Sequence, residues 1–197
     1  MAICEGHSMT EHQSPVDIPP TAPVHRDGLQ LDYGTIPLVV GENPTAVQVD
    51  CTVDASITLD GREFCLEQFH IHCPSEHTFG GTHTPMAIHL VHRSADGAIA
   101  VVAVMFVDGA ANPVSGLRRG ALVGADPHYI ALLGLLPRDR AHGAYDGSLP
   151  TPPYREGVAW RGIIRPSTVS PHQLAALRAA HDGNARPVQP MGDRHFD

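Results

Sequence analysis

Gln68-Phe69-His70-Ile71-His72 alternates polar and apolar side chains residue by residue. In a strand, side chains two apart share a face, so Gln68, His70 and His72 point one way and Phe69 and Ile71 the other. Two imidazoles about 7 Å apart on one strand face can close on a single ion if a neighbouring strand brings a third. The next strand, 86–92, puts Ala87, His89 and Val91 on one face and Ile88, Leu90 and His92 on the other. Three neutral imidazoles on a stiff sheet, with no fourth protein ligand, describe an open catalytic zinc site. Zinc so held lowers the pKa of its water to about 7. A chain with 14 His also yields such pairs by chance, so spacing alone leaves a metal site and a fortuitous pair both standing.

Strand patterns continue on either side. Leu29, Leu31 and Tyr33 alternate, as do Val47, Val49 and Cys51. Ile57 and Leu59 precede Asp60-Gly61, a hairpin turn leading into 63–72. Strands 86–92 and 99–107 are joined by a second turn, Ser94-Ala95-Asp96-Gly97. Segment 129–136 fits a short helix and a strand equally well. Segment 158–165 reads as a strand holding the only Trp, Trp160. Ser170-Pro171-His172-Gln173 offers an N-cap and a first-turn proline, so a helix is expected over 171–181, ended by Asp182-Gly183. Pro15, Pro19, Pro20 and Pro23 exclude a long helix before it all.

The 197 residues suit one domain over 1–197, with 1–12 expected to be poorly ordered. The fold class is mainly β (α+β), one sheet-centred domain with a few short peripheral helices. A net charge of −8, with 13 Lys+Arg and no basic cluster, argues against a nucleic acid or an anionic membrane as partner. The longest apolar run, 98–107, is about half of what spans a bilayer. The N-terminus shows neither the positive nor the apolar region of a secretory signal. Cys4, Cys51, Cys65 and Cys73 form no CxxC pair. Cys51 and Cys65 are expected as buried free thiols, and Cys73 to face away from the ligand histidines. His77 and His92 are expected as hydrogen-bonded core or loop residues, Asn184 and Arg186 as polar anchors. His7, His12, His25 and His195 are expected to be solvated.

Around these histidines the sequence resembles the α-class carbonic anhydrases, bacterial type. The resemblance rests on Gln13-Ser-Pro-Val-Asp-Ile18, on Gln68-Phe-His-Ile-His72 followed by Pro74-Ser-Glu-His-Thr78, and on His89-Leu-Val-His92. Gly147-Ser-Leu-Pro-Thr-Pro-Pro153, Glu156-Gly-Val-Ala-Trp160 and Asn184-Ala-Arg-Pro-Val-Gln-Pro190 continue it in the same order. It implies a central twisted, mostly antiparallel sheet of about ten strands, large but within the usual range for sheets. It also implies a conical active site with Zn2+ at its base and a lyase activity. Carbon dioxide is hydrated there to bicarbonate by attack of zinc hydroxide. The implied zinc ligands are His70, His72 and His89. Glu76 matches the acid that orients a gatekeeping hydroxyl. Val91, Val101, Leu149, Val158 and Trp160 match the apolar wall beside the zinc. Gln68 and Asn184 support the ligands from behind, and Ser14 and Tyr145 match a pair that ties the N-terminal motif to the active-site loop. Sulfonamides and small anions are the expected inhibitors. The family resemblance implies a periplasmic or secreted protein, with the cytoplasm as the alternative for a chain without a signal.

Four residues depart from the family pattern. Ala87 stands where a Glu orients the third imidazole. Pro150 stands where a Thr supplies the gatekeeping hydroxyl and an anion-binding N–H, with Thr151 as the neighbouring substitute. Thr45 takes the register of the rim histidine that relays protons. Tyr154 replaces the cysteine that would pair with Cys4, so all four thiols are expected to be free. These departures imply hydration slower than is usual in the family and weakened inhibitor binding. The alternative is a zinc-bearing protein of the same fold with negligible hydration activity, acting as a binding or structural module.

Overall fold

The computed structural model describes residues 12–40, 43, 46–52, 54–113, 129–180 and 182–197. Cys4, Thr45 and nearly all of 1–12 lie outside the described residues. Nine strands form the central sheet. Its main path runs His142–Ser148, Glu156–Val169, Ile99–Asp108, Met86–Arg93, Arg62–His72, Gln48–Asp50 and Val39–Val40. Ser56–Leu59 also pairs with Arg62–His72 and carries Leu29–Asp32 on its far side. Within this sheet, pairing is antiparallel except between Ile99–Asp108 and Glu156–Val169.

Alternation sorts the side chains into two cores. Phe69, Ile71, Ile88, Leu90, Val102 and Val104 fill one face, and Ala87, Val91, Val101, Ala103, Val158 and Trp160 the other. The middle strands are dry on both faces, which is why 86–93 and 99–108 read as nearly continuous apolar runs. Asp60 and Gly61 both take positive φ, as the Asp-Gly hairpin requires. The second turn closes through Gly97 N–H to Ser94 C=O at 2.9 Å.

Segment 129–136 divides between the two readings: Tyr129–Ala131 is a strand, and Leu132–Leu135 one 3-10 turn. The late helix is Pro171–Arg178, shorter than 171–181. Ser170 and Gln173 form a capping box at its start, and Ala180 N–H donates to Leu177 C=O at 3.0 Å in a tightened last turn. Among the described residues no helix is long and apolar enough to cross a membrane.

The thiol expectation needs correcting. Cys65 is exposed and Cys51 half-buried, while Cys73 is buried. Over 62–67 the strand covers only its Phe64 and Leu66 face, so Cys65 shares the wet face with Glu63 and Glu67. His25 is likewise not a freely solvated terminal residue: it bridges to His142 in the edge strand.

Candidate metal centre

Register brings the three histidines together. In the pairing of Arg62–His72 with Met86–Arg93, His89 lies directly opposite His70, and Ala87 opposite His72. Ring centroids are 4.9 Å apart for His70–His72, 5.4 Å for His70–His89 and 4.7 Å for His72–His89. One nitrogen from each ring falls in a set within 4.8 Å of one another. The next cross-strand row is Gln68, Val91, Val101, Trp160 and Tyr145. The apolar wall is thus one row deep across three strands, beside the imidazoles.

The three rings are held unequally. A carbonyl oxygen only accepts, so His70 Nδ1–H donates to Gln68 Oε1 at 2.9 Å and His72 Nδ1–H to the Asn184 carbonyl at 3.2 Å. Each bond leaves Nε2 with its lone pair, the arrangement that orients metal-ligating histidines. Asn184 is itself fixed beneath the strand, accepting from Cys73 N–H at 3.0 Å and donating to Ile71 C=O at 3.0 Å. His89 has no such support: both of its ring nitrogens are buried without a hydrogen-bond partner, and Ala87 offers none. His72 Nε2 is also buried and unpartnered. Nitrogens converging from three rings, with those of His72 and His89 buried and unpartnered, are the donor set of a tetrahedral zinc with one open position.

Glu76 lies behind the rings. Its Oε1 accepts from Arg186 N–H at 3.0 Å. Its Oε2 has no donor and sits 3.4 Å from His72 Nε2 and 3.6 Å from His89 Nδ1. Burial pushes this carboxyl up to about 7, opposed by the Arg186 N–H and guanidinium. Thr151 is exposed on the cavity wall, and no hydrogen bond joins its hydroxyl to Glu76.

The cavity over the cluster holds about 220 Å³ and is lined by the three histidines, Gln68, Val91, Val101, Leu149, Pro150, Thr151 and Trp160. Val158 is buried in the same apolar cluster but does not line the cavity. Sequence reasoning missed Ile99, Gln48, Glu67 and Arg93, which do. Ile99 pairs with Val158, one register step from the wall row. Glu67 reaches the mouth because the register shifts between Val91 and His92, leaving it unpaired opposite Met86–Arg93. Such a bulge re-aims a side chain and breaks the alternation from which its face would be read. Glu67 then grips Arg93 through two bonds, of 2.5 and 3.0 Å.

Behind the wall, His77 Nε2 meets Tyr145 OH at 2.6 Å, and Tyr145 OH meets Ser14 Oγ at 2.9 Å. Gly147 allows this: a Cβ there would collide with Ser14 Oγ and stand 2.8 Å from Tyr145 Cε2. His92 is bonded to Tyr33 OH at 2.6 Å.

Burial dominates every imidazole here. It pushes His72 down to about 4, His77 to about 3 and His92 to about 4, and holds His89 well below the ordinary range. His70, which keeps some solvent contact, goes to about 3, first by burial and then by the nearby His72. All are neutral donors at neutral pH. The unfolded chain takes up these protons near pH 6.5 and the folded chain only well below that, so stability is lost as pH falls below about 6.5. Glu76 opposes this, since its raised pKa favours the folded state in acid, but it is one group against several. The denaturant midpoint of metal-free protein should therefore be clearly lower at pH 5 than at pH 7. Equal midpoints would contradict the buried neutral imidazoles.

Comparisons with known proteins agree with this geometry. The family model for eukaryotic-type carbonic anhydrase matches residues 2–196. A carbonic anhydrase of Klebsiella pneumoniae is 39% identical over 196 residues, covering 93% of this chain and 78% of that protein. The solved α-carbonic anhydrase of Photobacterium profundum superposes with a TM-score of 0.84 at 36% identity, over 96% of this chain and 90% of that one. That of Thermovibrio ammonificans, solved with the inhibitor sulfanilamide, gives 0.83 at 34% identity, over 96% and 88%.

Proposed function

Since the chain belongs to the eukaryotic-type, or α-class, carbonic anhydrase family, we propose that it hydrates carbon dioxide reversibly to bicarbonate and a proton, using zinc held by His70, His72 and His89. The observation that carries this is the convergence of three neutral imidazoles, with one nitrogen of each in a common set, at the base of a half-apolar cavity. Bound there, zinc supplies Lewis acidity that brings the pKa of a coordinated water to about 7. The chain's residues do the rest. Gln68 and Asn184 fix two rings in the tautomer that points Nε2 at the ion. Val91, Val101, Leu149 and Trp160 offer an apolar surface on which carbon dioxide can sit next to it. Arg186 holds Glu76 in place. Removing the metal with a chelator should abolish hydration, and adding zinc back should restore it. Activity that persists in metal-free protein would refute the proposal.

The rate should be below the family norm. Neither Pro150 nor Thr151 gives Glu76 a hydroxyl, and among the described residues no hydrogen bond orients His89. The same two observations favour the second reading, a zinc-bearing protein with negligible hydration activity. Ala87→Glu bears on the His89 half of the argument. A carboxylate accepting from that ring should slow zinc loss to a chelator about 10–100-fold, the usual worth of such a partner. An unchanged or faster loss would count against it. Aromatic sulfonamides should bind in this cavity; the T. ammonificans enzyme was solved in complex with one, sulfanilamide.

A further inference from the structure

At the sheet edge, away from the cluster just described, His25 and His142 stand directly opposite one another across an isolated antiparallel bridge. His25 N–H donates to His142 C=O at 2.8 Å, and His142 N–H to His25 C=O at 3.0 Å. Residues paired in this way send their side chains to the same face, and the two ring centroids are 5.8 Å apart. His142 is 3% exposed. Its Nδ1 lies 3.2 Å from the Arg140 carbonyl, so that nitrogen carries the proton and Nε2 the lone pair. The ring lines a cavity of about 460 Å³. His25 lines the same cavity, and its Nε2 is shut off from solvent with no partner. Asp27, Asp60, Asp146 and Asp197 also line it, and among its described lining residues Arg161 is the only cation, 3.3 Å from Asp60. A buried nitrogen without a partner calls for a missing atom. Two imidazoles, one already oriented through its other nitrogen, in a cavity that aspartates also line, suit a borderline divalent transition ion.

We propose that His25 and His142 form a second metal site, for Zn2+ or a similar transition cation, completed by an aspartate of the cavity and water. Among the described residues only His70, His72 and His89 have three donors within 4.8 Å, so an aspartate must swing in and the second site is the weaker one. It does not rest on the reading of the three-histidine cluster. The test is calorimetric titration of Zn2+ into the full chain, with metal analysis after dialysis against zinc. Wild type should take two equivalents. The weaker should lose at least about tenfold in affinity, the scale of perturbing a ligand, in both His25→Gln and His142→Gln. It should persist in His70→Ala. His25 is partly exposed and its replacement leaves the backbone bridge intact, so His25→Gln alone decides if the buried variant fails to fold. A single equivalent in wild type, lost in His70→Ala, would overturn the proposal. So would a second equivalent of unchanged affinity in His25→Gln.

Discussion

Pro150→Thr should raise kcat/KM for carbon dioxide by at least about tenfold, since one well-placed hydrogen-bonding group at a reacting centre is worth roughly 10²–10³ in rate. Pro150 lines the cavity yet has neither hydroxyl nor N–H to offer. Glu76 has a buried Oε2 that finds no donor. Thr151 gives it none. Its side chain is exposed, and its carbonyl is engaged by Tyr154 N–H at 2.8 Å in the turn through Pro152 and Pro153. A hydroxyl at position 150 would donate to Glu76 and accept from the attacking oxygen, fixing which lone pair faces carbon dioxide. In a Glu76→Ala background the same substitution should gain much less. The new N–H should also tighten sulfonamide binding. Unchanged kcat/KM with zinc still bound would mean that the gate lies elsewhere in this loop.

The second large effect belongs to the ligands. His70→Ala should purify with well under stoichiometric zinc and lose at least about a hundredfold in hydration rate, because water far from a metal has a pKa near 15.7 rather than about 7. Elemental analysis beside the rate assay decides. Zinc retained at full stoichiometry would remove His70 from the site.

Much of this site was legible because strand alternation and register are simple. The alternation of 68–72 put Gln68, His70 and His72 on one face, and the same rule put His89 with Ala87 and Val91. The structure places His70 opposite His89. Local signals were sound where chemistry is local, as in the Asp60-Gly61 turn and the Ser170 cap. What stayed hidden depends on distant or irregular backbone. Asn184 and Arg186 were expected as polar anchors, but they reach His72 and Glu76 from more than 100 residues away through backbone atoms, which no residue type advertises. The bulge that turns Glu67 to the cavity mouth leaves no mark in the alternation. Cys65 misled because its strand is dry on one face only where Phe64 and Leu66 point. The His25–His142 pair was missed because the bridge joining them has no strand pattern on the His25 side.

The central claim, that this chain is a working zinc hydratase despite Ala87 and Pro150, is tested most directly by initial-rate carbon dioxide hydration of zinc-loaded wild type beside zinc-supplemented His89→Ala. Wild type should run clearly above the uncatalysed rate, modestly for the family, and His89→Ala at background. Wild type with zinc bound and no faster than His89→Ala would contradict that claim and leave the non-catalytic zinc protein.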